Sequence, residues 1–102
     1  LLNLLLLEVP CRMEWCEDLF DQAKEFENQS PTMIQAAKRY SEPPHCITIR
    51  TRVKCLQAQH DQCKQHFNYK TQVVGLPQIM DVLGCSNSTS AAVFDPKTMG
   101  MS

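Results

Sequence analysis

The sequence predicts an all-α domain, a disulfide-linked antiparallel three-helix bundle, on three observations. Six cysteines fall within 102 residues, at Cys11, Cys16, Cys46, Cys55, Cys63 and Cys85. An even count in so short a chain points to three disulfides and an oxidising compartment. The spacing is C-x4-C, a gap of 29, then C-x8-C-x7-C-x21-C, which suits helices better than tight knottin-type loops. Apolar residues also recur at 3-4 spacing through three long stretches.

The first predicted helix covers residues 11–28. Cys16, Leu19, Ala23 and Phe26 form its apolar stripe, widened by Met13, Trp15 and Phe20. Glu14, Glu17 and Asp18 sit early, where the helix dipole favours negative charge. Ser30-Pro31 reads as an N-cap and first helical position, opening a short helix through Tyr40 that Glu42-Pro43-Pro44 ends. From Ile47 to Val53 two patterns compete. Ile47, Ile49, Thr51 and Val53 alternate with polar residues as in a strand. Cys46, Ile49, Val53, Leu56, His60, Cys63 and Phe67 form a longer helical stripe, so the second helix is placed at about 45–64. The third carries Tyr69, Val73, Leu76, Met80 and Leu83 on one face. Gly75 and Pro77 predict a kink or restart within it, and Gly84 its end.

The flanks differ. Residues 1–10, with six leucines in the first seven positions, are too short to span a bilayer, which takes about 20 residues. They read as the remnant of a signal peptide. Residues 86–102 lack periodicity and read as a tail or linker, leaving 11–85 as the domain. Sequons at Asn28-Gln29-Ser30 and Asn87-Ser88-Thr89 make Asn28 and Asn87 candidate glycosylation sites and agree with an extracellular address.

A chain of this size buries only about 60 to 65% of the surface that it exposes when unfolded. Each disulfide adds about 2 to 4 kcal/mol, which makes their pairing decisive. In an up-down bundle the start of the first helix lies beside the end of the second, and the end of the third beside the start of the second. That pairs Cys11 with Cys63, Cys16 with Cys55 and Cys46 with Cys85. The five-residue and eight-residue steps cover about 7.5 and 12 Å, a rough match. The rival pairing, Cys11–Cys55 with Cys16–Cys63, stays open.

Net charge is -1 with both signs interspersed, which argues against nucleic acid as a partner. Arg50, Arg52 and Lys54, the nearest approach to a basic run, are expected on a solvated face. Cys55-x4-His60-x2-Cys63-x2-His66 has the residue types of a zinc site, but its cysteines would have to be reduced, so no metal is expected. His60 is instead expected in the helix seam. No cofactor is implied. The three isolated glycines form neither a phosphate-cradling loop nor an oxyanion turn, and the sequence does not read as an enzyme. What remains is surface. Phe67, Lys70, Thr71, Val74 and Gln78 make a second stripe on the third helix, a candidate partner-binding face, with Trp15 a further candidate from the first. The bland reading of that stripe has Phe67 closing the seam beside Cys63.

The spacing from Cys46 onward and the opening Cys11-Arg12-Met13-Glu14-Trp15-Cys16 resemble the N-terminal domain of the repulsive guidance molecule family, which includes hemojuvelin. The stretch from Tyr69 to Met80 is similar to that family's third helix, through Tyr69, Val73, Gly75 and Met80, and Cys85-Ser86 follows. The resemblance, to a divergent invertebrate member, covers residues 11 to about 90. It implies a cell-surface co-receptor that binds bone morphogenetic protein-type growth factors of the TGF-β superfamily and modulates their signalling. In the full-length protein it also implies a lipid anchor and a self-cleaving type D-like domain that engages neogenin. Phe94-Asp95-Pro96-Lys97 does not match the family's cleavage motif, so neogenin binding is not expected of these residues. Three departures are present. Lys70 stands where the family commonly has an acid-sensing histidine, Lys64-Gln65 replaces an arginine-glycine pair, and residues 30–44 read as an insertion. The alternative is a stand-alone secreted helical peptide, of venom or effector type, whose cysteine spacing coincides; a type D-like domain further along the transcript would separate the two.

Overall fold

The computed structural model describes residues 11–29, 42–86, 91–97 and 100–101. The leucine-rich start, the short helix expected through Tyr40, and Asn87 lie outside the described residues. Helix α1 spans Met13–Gln29, α2 Cys46–Ala58, α3 His60–Cys63 and α4 Phe67–Leu83. Two-residue strands β1 (Phe94–Asp95) and β2 (Gly100–Met101) pair antiparallel, with Phe94 opposite Met101.

Disulfides join Cys11 to Cys63, Cys16 to Cys55 and Cys46 to Cys85, the first of the two pairings above. Contacts between α1 and α2 follow in reverse sequence order. Cys16 meets Cys55, Ala23 clusters with Ile47, and Glu27 reaches Thr48. Between α2 and α4 the order is also reversed, from Cys46–Cys85 through Val53 with Met80 to Leu56 with Tyr69.

The organising fact is that α2 has almost no solvent face. Cys46, Ile47, Thr48, Arg50, Thr51, Arg52, Val53, Cys55 and Leu56 are all buried. This corrects the expectation that Arg50 and Arg52 are solvated: they are 3% and 6% exposed. Arg50 forms a buried ion pair with Glu42. Its Nη1 donates to the Ala92 carbonyl at 2.6 Å, and its Nε and Nη2 to that of Ser86. Thr48 and Thr51 are tolerated for the same reason. Thr51 Oγ1 donates to the Ile47 carbonyl and accepts from the Phe94 amide, each within 2.8 Å. A helix lined by satisfied polar groups on several sides has no single apolar stripe, which is why residues 47–53 also fit a strand pattern.

The start of α2 is capped from α1. His45 holds a left-handed backbone conformation (φ 75°) and supplies no side-chain cap. Glu27 does so instead. Its carboxylate accepts from the Thr48 amide at 2.8 Å, the Thr48 hydroxyl and the His45 amide at 3.2 Å. A buried carboxylate at a helix N-terminus satisfies orphan amides and complements the dipole.

Four further expectations are corrected. The helix expected over 45–64 breaks at Gln59, whose side-chain amide turns inward to pair with both the N–H and the carbonyl of Arg12. The break moves His60 out of the seam; it is exposed, with Nδ1 2.8 Å from the Tyr69 hydroxyl. Helix α4 continues as one element through Gly75 and Pro77, so the restart allowed by the sequence does not occur. An interior proline costs about 3 kcal/mol, but Tyr69 and Val73 before it and Met80 after it anchor the helix in the core. Leu83, expected on the core face, is 37% exposed. Gly84 ends α4 at φ 83°, and the Cys85 amide donates back to the Met80 carbonyl, a Schellman-type stop.

Residues 91–95, expected as tail, are integral. Ala92 and Phe94 are 0% and 3% exposed and join Ala23, Ile47 and Phe26 in one cluster. The Phe94 ring lies 5.3 Å from that of Phe26. Replacing Phe94 with Ala is therefore expected to destabilise the domain by about 3 to 4 kcal/mol in urea unfolding. A residue in a loose tail would shift stability by less than about 0.5 kcal/mol.

Candidate functional site

Helix α4 places Tyr69, Val73, Leu76 and Met80 against α2. The 3.6-residue period then turns Phe67, Lys70, Thr71, Val74 and Gln78 outward together, and all five are exposed. Phe67 is 77% and Val74 60% exposed, so Phe67 does not close the seam beside Cys63. The face continues past the residues that the sequence singled out. Val82, one turn beyond Gln78, is 86% exposed, and Ile79 on its flank is 47%. The repeat that picked out Gln78 extends to Val82, so this part of the face was available from the spacing alone. From Phe67 to Val82 the stripe is about 22 Å long.

Trp15, the remaining candidate, is 54% exposed on α1. Among the described residues no hydrogen bond, ring contact or core cluster joins it to the α4 stripe.

Arg52 sets how α4 sits beside α1. Its Nε donates to Gln72 Oε1 at 2.7 Å, its Nη2 lies 2.8 Å from Glu17 Oε2, and its guanidinium lies 5.3 Å from the centre of the Phe20 ring. One buried side chain of α2 thus holds the facing edges of both outer helices. Sequence reasoning missed it because an arginine in a mixed polar stretch is most often solvated.

The residues of the zinc-like pattern are committed elsewhere. Cys55 is bonded to Cys16 and Cys63 to Cys11. His66 Nδ1 accepts from the Asn68 amide at the start of α4. Among the described residues no group of three His, Cys, Asp or Glu is placed to hold a metal ion. Asn28 is exposed near the end of α1.

Three disulfides around a helix with buried arginines define the class, a small disulfide-stapled helical domain. The model of the repulsive guidance molecule (RGM) N-terminal domain family matches residues 11–87, and the chain belongs to that family. The matched range takes in all six cysteines. No match was found among curated proteins or among solved structures. Membership carries an extracellular or cell-surface role of the RGM type. Among the described residues no helix is long and apolar enough to cross a membrane.

The outward stripe contributes little to the fold. Changing Phe67 and Val82 together to Ser is expected to move the urea midpoint by less than about 0.5 kcal/mol in free energy. Changing Tyr69 to Ala, on the inner face, is expected to cost about 3 kcal/mol or more.

Proposed function

We propose that the chain is a non-enzymatic co-receptor module that binds growth factors of the bone morphogenetic protein type through the outward face of α4. Family membership supports the ligand class, and the exposed apolar stripe from Phe67 to Val82 is the observation that carries the site. Large apolar side chains left in water gain from burial against a partner, by about 25 cal/mol per Å² of apolar surface covered. A few large side chains commonly dominate binding at such patches. Phe67 and Val74 are the principal anchors, Val82 and Ile79 extend the contact, and Lys70, Thr71 and Gln78 supply its polar rim. Tethering to the cell surface and engagement of neogenin belong to other parts of a longer chain. Asn28, exposed on α1, is proposed as a glycosylation site.

The test is capture of the chain by an immobilised growth factor of this type. Val74→Asp places a charge in the centre of the stripe and is expected to weaken binding at least about 100-fold, near 3 kcal/mol, with the helical circular dichroism and melting temperature unchanged. Trp15→Ala, on another element, is expected to change affinity less than about threefold. Unchanged affinity for the Val74 variant would remove the α4 face as the site.

A further inference from the structure

Within the outward face of α4 one position carries no side chain. Gly75 lies one turn after Thr71 and one turn before Gln78 and Ile79, with Val74 beside it. A Cβ built at this glycine would meet no atom within 4 Å among the described residues. The stripe therefore has a gap near its middle, flanked by Val74 at 60% and Ile79 at 47% exposure. Thr71, Val74, Gly75 and Gln78 are spaced i, i+3, i+4, i+7. Four residues so spaced are the corners of the hole that accepts one side chain when helices pack.

The fold itself gives no reason for a glycine here. Gly75 does not share the positive φ of Gly84, and nothing packs where its side chain would be. A glycine inside a helix is less favourable than alanine, because folding removes more of its backbone freedom. The same turn already carries Pro77, which has no N–H to give the helix. Two locally unfavourable residues within three positions, at a site where alanine would meet nothing, are expected where function calls for them. A missing side chain lets another molecule approach the helix backbone closely. A glycine beside a proline can also ease a bend, and the stability of an alanine variant separates the two readings.

We infer that Gly75 is the floor of a socket that takes a single large apolar side chain of the bound growth factor, seated among Thr71, Val74 and Gln78. This rests on the α4 face being the partner-binding surface, and it deepens that reading by naming the kind of residue the partner must present. The socket suits an apolar occupant. Val74 and Ile79 border it, and the Thr71 hydroxyl already donates to the Phe67 carbonyl at 3.2 Å. A charged tip would give up its water there with little to replace it, whereas an apolar side chain gains from leaving water. With glycine at one corner the hole admits a larger side chain than an unbroken stripe would, so Gly75 acts as a specificity-determining residue.

Two measurements test it. Gly75→Ala is expected to raise the melting temperature by about 4 °C, yet to weaken capture by an immobilised growth factor of the bone morphogenetic protein type about tenfold. Gly75→Leu, which fills the socket, is expected to weaken capture about 100-fold. On a face without a socket the added apolar surface would leave affinity unchanged or raise it. Affinity unchanged or raised in either variant, while Val74→Asp weakens capture, would overturn the socket and leave the α4 face standing. Normal binding by Val74→Asp would overturn the face and the socket with it. A lower melting temperature in Gly75→Ala would assign the glycine to the bend at Pro77 and overturn the socket. In the second measurement the ¹³C-labelled chain is bound to the unlabelled growth factor. The Gly75 Hα protons are expected to show nuclear Overhauser contacts to methyl or aromatic protons of the partner, and the absence of such contacts would overturn the socket.

Discussion

Burial of α2 on nearly all sides is the constraint on which the rest of the structure depends. A 13-residue helix that hides two arginines and two threonines needs partners for most of the donors they carry, and each partner it recruits becomes fixed in turn. Arg50 gathers Glu42, Ser86 and the Ala92 carbonyl, tying the approach to α2 and the segment after α4 into one network. Arg52 draws together Glu17 and Phe20 of α1 and Gln72 of α4. Glu27 returns the arrangement from α1 by capping α2. The outer helices are thereby held to a common centre by polar contacts as well as by the small apolar clusters.

The disulfides reinforce the same centre. Each has one end on or just beyond the α2–α3 stretch, at Cys46, Cys55 or Cys63, and the other outside it. A core built from three modest clusters, joined by Leu19 and Leu76, gains from cross-links that limit the unfolded chain. Once α1 and α4 are locked in this way, the rotation of α4 is set. Tyr69 and Met80 face inward, and Phe67, Val74 and Val82 have no place in the core. The candidate surface is what the centre does not use, and the role proposed for it rests on that exclusion joined to family membership.

Much of this was legible in the sequence. The cysteine spacing on helical stripes led to the pairing observed, and simple periodicity separated the two faces of α4. The glycine after Leu83 marked its end. What was not legible depended on partners distant in sequence. Arg50 and Arg52 look like solvated residues until Ser86, Ala92 and Gln72 are brought to them. Glu27 reads as one more surface acid, but it closes the start of a helix 19 residues further on. Ala92 and Phe94 form too short an apolar segment to show a period, yet two side chains suffice to fill the gap between Ala23 and Ile47. Gln59 breaks the second helix through a bond to Arg12 that no local pattern announces. Pro77 shows the opposite case, in which a strong local signal is overruled by packing on both sides of it.

The central claim is that the outward face of α4, and not the inner one or α1, meets the growth factor. Methyl cross-saturation on the valines addresses it directly, because they sample the inside and outside of the same helix. With the chain methyl-labelled and bound to an unlabelled, irradiated growth factor of the bone morphogenetic protein type, Val74 and Val82 are predicted to lose intensity, whereas Val73 and the buried Val53 keep theirs. Intensity loss that spares Val74 and Val82 would contradict the account.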